Sequence, residues 1–308
     1  MMNKLFMMIG IPASGKTSLA EQIANSEGAE IVSSDNIRKE LYGDESIQGD
    51  SNKVFKTVEN RIINGLKNNK NMIYDATNIN YKRRMAFLQK IRKLKIEKIA
   101  IMVATPYEQC LIRNSQRERQ VPEEVIKRMY YNFYVPQYFE GFNVIHIYSN
   151  PLEWNEIISD FYSIDNLLDN MNISQDNPHH SLSILEHCNK TQELLNKEEL
   201  RWYTKDVGLL HDIGKVETKT FINSKGEKTD IAHYYNHEKV GAYISCLNIS
   251  GLWQMGEVDT IERAKLIQWH MLPWTKMSEK TEQKYKKLLG ENFWNDLMIL
   301  HKADEEAH

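Results

Sequence analysis

The run Gly10-Ile-Pro-Ala-Ser-Gly15-Lys16-Thr17 sets two glycines, a lysine and a hydroxyl residue at the spacing G-x-x-x-x-G-K-[ST]. Glycines let such a loop curl until its backbone N–H groups converge, and a helix starting there adds the positive end of its dipole. The product is a phosphate cradle, with Gly10, Ser14, Gly15, Lys16, Thr17 and Ser18 as the candidate nucleotide-binding residues. Lys16 would reach the β and γ phosphates, and Thr17 would give Mg²⁺ an oxygen ligand. A carboxylate, Asp35, follows the second apolar run in Ile31-Val-Ser-Ser-Asp35-Asn-Ile-Arg38. There it could take the proton of an attacking hydroxyl, or serve only as a helix cap. Arg38, one helical turn on, could pair with a phosphate of the acceptor. Asp75-Ala-Thr-Asn78 ends a third apolar run, and Lys82, Arg83 and Arg84 after it read equally as a solvated helix face or a nucleic-acid contact. Arg113, Arg117 and Arg119 precede Pro122, where arginines can close over ATP and neutralise transition-state charge.

A second chemistry lies further along. Of the ten histidines, all but His146 fall at or beyond position 179. His211-Asp212 follows an apolar Val-Gly-Leu-Leu, and His187, His237, His270 and Asp304 add nitrogen and oxygen donors around it. Imidazole with carboxylate and no thiolate suits Mn²⁺, Ni²⁺, Co²⁺, Fe or Zn²⁺, and this many donors could hold one ion or two. His180 precedes His187 by two helical turns and could approach the same site, whereas His179, His233, His301 and His308 read as structural or exposed.

The elements that must position these groups differ between the halves. Apolar runs at about 4–9, 30–33, 71–74, 97–104 and 143–148 alternate with helix-like segments, and their near-continuous hydrophobicity is that of strands buried on both faces. Strand and helix in alternation predict an α/β domain with a parallel, doubly wound sheet over residues 1–150. Polar residues over 151–178 read as a linker. From 179 to 308 the spacing of apolar residues predicts an all-α domain, interrupted by a β-hairpin turning at Ser224 to Gly226. Met7, Met8, Trp202, Tyr203 and Trp253 are expected in the core. Tyr130, Tyr131, Phe133, Tyr134, Tyr138 and Phe139 are expected to pack against the second domain, although such rings can also stack bases of a single strand.

At 308 residues, with 41% hydrophobic and 26% charged, the chain has the composition of a folded protein with about two cores. Residues 1–150 hold 22 Lys and Arg against 16 Asp and Glu, and the remainder 17 against 26, so the halves carry +6 and −9. A total of −3 argues against bulk electrostatic binding of nucleic acid, which would have to be gripped locally. No run reaches the length of a membrane span. Three scattered cysteines, Cys110, Cys188 and Cys246, make no disulfide framework, so a reducing cytoplasm is expected.

Gly-Ile-Pro-Ala-Ser-Gly-Lys-Thr, the S-D-x-x-R of Ser34 to Arg38, Asp-Ala-Thr-Asn, and R-N-x-x-R before Val-Pro-Glu-Glu-Val-Ile together resemble the 5′-hydroxyl polynucleotide kinases of nucleic-acid end healing. The resemblance implies ATP and Mg²⁺ on Lys16 and Thr17, Asp35 as general base, Arg38 on the acceptor's terminal phosphate, and Arg113 and Arg117 as lid arginines. The ordered set H…HD…H…H…D, with His-Asp-Ile-Gly-Lys and Trp-His-Met-Leu-Pro, resembles the HD phosphohydrolases, most of all the HD domains of tRNA CCA-adding enzymes. It implies His187, His211, Asp212 and Asp304 on a first metal, His237 and His270 available for a second, and Lys215 on a substrate phosphate. The pair is similar to known fusions of a polynucleotide kinase with an HD domain, here with the kinase first. The expected function is phosphorylation of 5′-OH RNA or DNA ends with removal of 2′,3′-cyclic or 2′(3′)-phosphate, with a nucleic-acid ligase as an expected partner. The alternatives are a small-molecule kinase fused to a nucleotide phosphohydrolase and a non-catalytic nucleotide-dependent switch.

Overall fold

A computed structural model describes residues 2–47, 49–178, 181–198, 206–249 and 256–307. His179, His180, His308, Trp202, Tyr203 and Trp253, each given a role above, lie outside the described residues. The described chain forms two compact units, one of residues 1–130 and 136–149, the other of 131–135 and 150–308.

In the first unit the order is β1 (Lys4–Ile9), α1 (Lys16–Glu27), β2 (Ala29–Ser33), α2 (Ser34–Tyr42), α3 (Ser51–Lys67), β3 (Asn71–Asp75), α4 (Tyr81–Lys90), β4 (Glu97–Val103), α5 (Tyr107–Ser115), α6 (Glu123–Tyr131) and β5 (Val144–Tyr148). The five strands are parallel in the order β2-β3-β1-β4-β5. This is the doubly wound α/β fold the alternation predicts. Burial on both faces holds for the inner strands: Leu5, Met7, Met8 and Ile9 of β1 are wholly buried. It fails for the two edges, where Glu30 of β2 and His146 and Tyr148 of β5 are exposed, because an edge strand has cover on fewer sides. Helix α3 follows its spacing, with Val54, Val58, Ile62 and Leu66 buried four residues apart along one stripe.

Arg84 departs from both readings offered for the Lys82–Arg84 run. Lys82 and Arg83 are exposed, but Arg84 is 2% exposed, its Nε and Nη2 donating to the two carboxylate oxygens of Glu140 at 2.7 and 2.6 Å and its Nη1 to the Asn78 carbonyl at 2.8 Å. At this depth neither charge can be left without the other. Glu140→Gln should cost about 3–5 kcal/mol of stability, the penalty for breaking a buried pair from one side. Urea titration of the two proteins checks this, and a loss under 1 kcal/mol would show that water reaches the guanidinium.

The second unit runs α7 (Glu156–Phe161), α8 (Ile164–Met171), α9 (Ile184–Leu195), α10 (Val207–Leu210), α11 (Lys215–Thr218), β6 (Lys219–Ile222), β7 (Lys228–Tyr234), α12 (His237–Ile244), α13 (Glu257–Trp269), α14 (Glu279–Leu289) and α15 (Glu291–Glu306). Among the described residues it is helical apart from a lone bridge of Ser174 with Ser183 and the antiparallel hairpin of β6 and β7, whose turn contains Gly226 at φ 83°. Residues 151–178, read as a linker, carry α7 and α8. Leu167 and Met171 there lie four residues apart and are buried, as is Tyr162, which donates to the Glu217 carboxylate at 3.0 Å. Two apolar residues a turn apart sufficed for a packed helix, and the polar residues around them hid it.

The aromatic run divides. Phe133 meets Tyr243 edge-on at 4.8 Å, Tyr134 lies 6.3 Å from Trp269, and Tyr131 donates to the Glu217 carbonyl at 2.7 Å, all within the second unit. Tyr130 instead stacks on Tyr107 at 5.1 Å and Phe139 meets Tyr81 at 6.3 Å, both within the first. Helical spacing alone placed all of these rings on one partner, but the chain passes from one unit to the other after Tyr130 and back after Val135.

All three cysteines are free and buried, and burial pushes the Cys110 and Cys246 thiols up to about 12. At pH 8 an aromatic disulfide reagent should therefore titrate three thiols only after denaturant is added. Stoichiometric reaction of the native protein within minutes would contradict their burial.

Candidate phosphate loop and metal centre

The loop after β1 carries two residues in left-handed backbone, Ala13 at φ 61° and Gly15 at φ 97°. This alternation turns successive N–H groups inward. Gly10 is required by space, since a Cβ there would lie 2.6 Å from the Ser14 hydroxyl and 3.2 Å from the Val103 carbonyl. Lys16 opens α1, and its ammonium donates to the Ile11 carbonyl at 3.2 Å across the loop. Desolvation among these atoms lowers its pKa, opposed by the charges of Asp75 and Asp35. Thr17 and Ser18 follow, both exposed on the first turn.

Thr17 donates its hydroxyl to Asp75 at 3.1 Å. Asp75 is 4% exposed, burial raises its pKa against the opposing Lys16 charge and the Thr17 bond, and its second oxygen is buried without a hydrogen-bond partner. Sequence reasoning did not assign this carboxylate a role. Its place at the carboxyl end of β3 was the available signal, but only the strand order, with β3 beside β1, brings it to the loop. The orphaned oxygen and the Thr17 hydroxyl beside it fit a hard cation that prefers oxygen donors.

Asp35 lies at the carboxyl end of β2 and is not the cap of α2. The cap is Ser33, whose hydroxyl accepts from the Asp35 N–H at 3.3 Å. That leaves the Asp35 carboxylate about half exposed and paired with Arg38 Nη1 at 2.5 Å. Arg113 Nη1 donates to the Ser14 carbonyl at 3.2 Å, which brings it to the loop. Arg117 is exposed on the turn after α5, and Arg119 pairs with Glu45 at 3.0 Å.

In the second unit, six donors converge from five places in the chain. His187 projects from α9, which begins with a capping box of Ser183 and Glu186. His211 and Asp212 lie between α10 and α11, His237 opens α12, His270 follows α13, and Asp304 sits on α15. All six are buried. Gly214 allows the approach of the His-Asp loop to α12, because a Cβ there would collide with the His237 carbonyl and lie 2.6 Å from the Gly241 nitrogen. Gly214→Ala should accordingly displace His237 and lower the divalent-metal content of the protein; an unchanged metal content would refute the packing argument.

The donors fall into two groups, His187, His211 and Asp304 in one, Asp212, His237 and His270 in the other. Asp212 faces both: its Oδ2 lies 3.7 Å from His187 Nε2 and 3.5 Å from His211 Nε2, and its Oδ1 lies 3.2 and 3.7 Å from the Nε2 atoms of His237 and His270. Asp304 Oδ1 is 2.9 Å from His187 Nε2 and 3.4 Å from His211 Nε2.

Three of the rings are fixed from behind. Nδ1 of His211, His237 and His270 lies 2.9, 2.8 and 2.7 Å from the carbonyls of Gly208, Tyr234 and Ile267. A carbonyl only accepts, so these bonds assign the proton to Nδ1 and turn an Nε2 lone pair toward the centre, as in metal-binding histidines. The His237 and His270 Nε2 atoms are then 3.1 Å apart, an arrangement of facing lone pairs that a cation between them relieves. His211 Nε2, buried without a hydrogen-bond partner, makes the same demand. The donor set therefore fits two divalent ions.

Burial alone would raise Asp212, but the Lys215 ammonium beside it holds its carboxyl well below the usual range. Lys215, expected on a substrate phosphate, is buried, its ammonium 2.6 Å from Asp212 Oδ2 and 2.8 Å from the Gln175 side-chain oxygen. Gln175, and Trp274, which donates its indole N–H to Asp304 at 3.3 Å, were not anticipated. Nothing in their local sequence marks them, since each acts through a residue distant in the chain.

Two family profiles match, the AAA domain over residues 5–136 and the HD domain over 179–307. The chain joins a P-loop domain of the AAA kind to an HD domain. A curated relative, the L-seryl-tRNA(Sec) kinase of Methanococcus maripaludis, is 25% identical over 186 residues, 56% of this chain and 69% of that one. Among solved structures, a chain of the Pnkp1/Rnl/Hen1 RNA repair complex is 25% identical with a TM-score of 0.36, covering 42% of this chain and 43% of its own. The chain thus spans less than half of that neighbour's length. A gluconokinase from Sinorhizobium meliloti 1021 is 16% identical with a TM-score of 0.36, over 49% of this chain and 86% of its own.

The kinase-type P-loop domain and the HD hydrolase domain make the chain an enzyme. The first implies a nucleotide with Mg²⁺ and the second a divalent metal. No described helix is long and apolar enough to cross a membrane.

Proposed function

We propose that the chain heals nucleic-acid ends: its AAA domain transfers phosphate from ATP to a 5′-hydroxyl of RNA or DNA, and its HD domain removes 2′,3′-cyclic or 2′(3′)-phosphate. The observation that carries this reading is the half-exposed Asp35 carboxylate, paired with the more buried Arg38 at the end of an edge strand, in one chain with a six-donor centre whose Asp212 faces both histidine pairs. An exposed carboxylate is accessible to a polymer end, and its arginine offers that end an anion site.

In this reading Asp35 accepts the proton of the 5′-hydroxyl as the hydroxyl oxygen bonds to the γ-phosphorus and ADP leaves. Arg38 exchanges Asp35 for the acceptor's terminal phosphate. Lys16 holds the β and γ phosphates with the backbone N–H groups of Gly15 to Ser18, Thr17 and Asp75 would hold Mg²⁺, and Arg113 and Arg117 neutralise the transferring group. In the HD domain His187, His211, Asp212 and Asp304 would hold a first ion, and His237, His270 and the other Asp212 oxygen a second. Such ions withdraw charge from a phosphate ester and lower the pKa of water. Lys215, already on Asp212, orients that carboxylate and meets the phosphate. The domains are assigned to 1–150 and 179–308, the working compartment is the cytoplasm, and a nucleic-acid ligase is the partner that would use the healed ends.

The curated relative is named as a kinase of seryl-tRNA, which supports an acceptor hydroxyl carried on RNA and supplies the second reading, transfer to an aminoacyl group. The test mixes the protein, γ-labelled ATP and Mg²⁺ with 5′-OH oligonucleotides bearing 3′-OH or 2′,3′-cyclic-phosphate ends, with Mn²⁺ or Ni²⁺ in parallel. Label at the 5′ end with loss of the 3′-terminal phosphate is expected. Label transferred only to seryl-tRNA or to a small hydroxyl compound would overturn the kinase assignment.

A further inference from the structure

A cavity of about 520 Å³ opens on the metal centre, with Asp212, His237, His270 and Asp304 in its wall. Half of its remaining lining carries rings, His233, Tyr234, Tyr235 and Trp274. Tyr235 and Trp274 reach it while remaining 41% and 40% exposed. His233 and Tyr235, two residues apart and so on one side of the extended chain, stack with centroids 5.4 Å apart and planes 10° from parallel. Trp274 is oriented twice, by its N–H on Asp304 at 3.3 Å and by an edge-on contact with His301 at 4.7 Å. The Tyr234 hydroxyl is turned onto the Gln175 carbonyl at 2.5 Å, which leaves its ring as wall.

Ring faces kept open to water beside a phosphate-cleaving centre are an unfavourable surface until a planar group covers them. The group must be tethered to the phosphate ester under the Asp212 cluster, since both line one cavity, and must be flat and weakly polar. A nucleobase meets these conditions, and aromatic side chains take bases of any sequence by their π faces. The volume falls within the range of small-ligand sites.

We propose that Tyr235, backed by His233, and Trp274 form a nucleobase subsite in the HD cavity, so that the domain prefers phosphate esters whose ribose carries a base. The inference rests on the phosphatase reading above and names what that site selects. It also revises His233, taken from the sequence as structural or exposed: the residue is partly buried and lines the cavity.

The test uses the full chain with Mn²⁺ and two secondary phosphate monoesters, adenosine 3′-phosphate and glycerol 2-phosphate. The ratio of their kcat/KM values should fall about tenfold in Tyr235→Leu, through KM of the nucleotide, and recover in Tyr235→Phe, which restores the ring. An equal loss on both substrates, or a ratio that does not change, would overturn the subsite. If the parent protein hydrolyses neither ester, the phosphatase reading fails, and the subsite is judged by binding alone. Adenosine 3′-phosphate, titrated by calorimetry in the presence of Mn²⁺, should then bind Tyr235→Leu about tenfold more weakly than the parent, and equal affinities would reject it.

Discussion

Asp212→Ala should strip both divalent ions from the HD domain and stop phosphate release. Each oxygen of this carboxylate faces a different histidine pair, His187 and His211 on one side, His237 and His270 on the other. Removing it takes a donor from two ions at once and leaves the Lys215 ammonium buried against the vacated space. The loss should exceed the roughly 10–100-fold that removal of an outer-sphere partner costs a metal site. Asp304→Ala should differ in kind, since the Oδ1 of Asp304 meets His187 and His211, one pair of the four. It is expected to lose one ion and retain the other. Elemental analysis after gel filtration gives the stoichiometry directly, and retention of two ions by Asp212→Ala would rule out the bridging role. The ATP-dependent labelling of 5′ ends should persist in both variants, because every group assigned to phosphoryl transfer lies in the AAA domain.

Asp35→Asn should reduce 5′-phosphorylation by about 10²–10⁴-fold, the usual contribution of a general base, while ATP binding stays close to the parent value. The separation follows from position. The Asp35 carboxylate is paired with Arg38, whereas the carboxylate hydrogen-bonded to the loop's own Thr17 is Asp75. Asp75→Asn should accordingly weaken Mg²⁺-nucleotide binding, raising the ATP requirement as well as lowering the rate. Nucleotide affinity by calorimetry and single-turnover transfer, measured on both variants, separate the roles. Full transfer by Asp35→Asn at saturating ATP would remove it as base.

The phosphate loop was legible because its chemistry is local. Gly10, Gly15, Lys16 and Thr17 are read from spacing, and the strand before and helix after them from short-range hydrophobic pattern. The hairpin at Gly226 was legible for the same reason, a turn residue between two β-rich runs. The six candidate metal donors could be named as types in order, and the resemblance of that order proposed four of them for one ion. Residues 151–178 were misread as linker because two buried positions on α8, Leu167 and Met171, are too few to show a period among polar neighbours.

Residue types, local spacing and alternating hydrophobicity thus determined the two domain classes, the phosphate loop and the histidine-carboxylate set from sequence alone. Tertiary structure decided what depends on contacts between distant residues. It placed β3 beside β1 and so Asp75 on Thr17; it buried Arg84 on Glu140, 56 positions away; and it put one Asp212 oxygen on each histidine pair. Periodicity reports which face of an element is buried, and it carries no information about which other element covers that face. A bridging carboxylate or a buried ion pair exists only once two such faces have met.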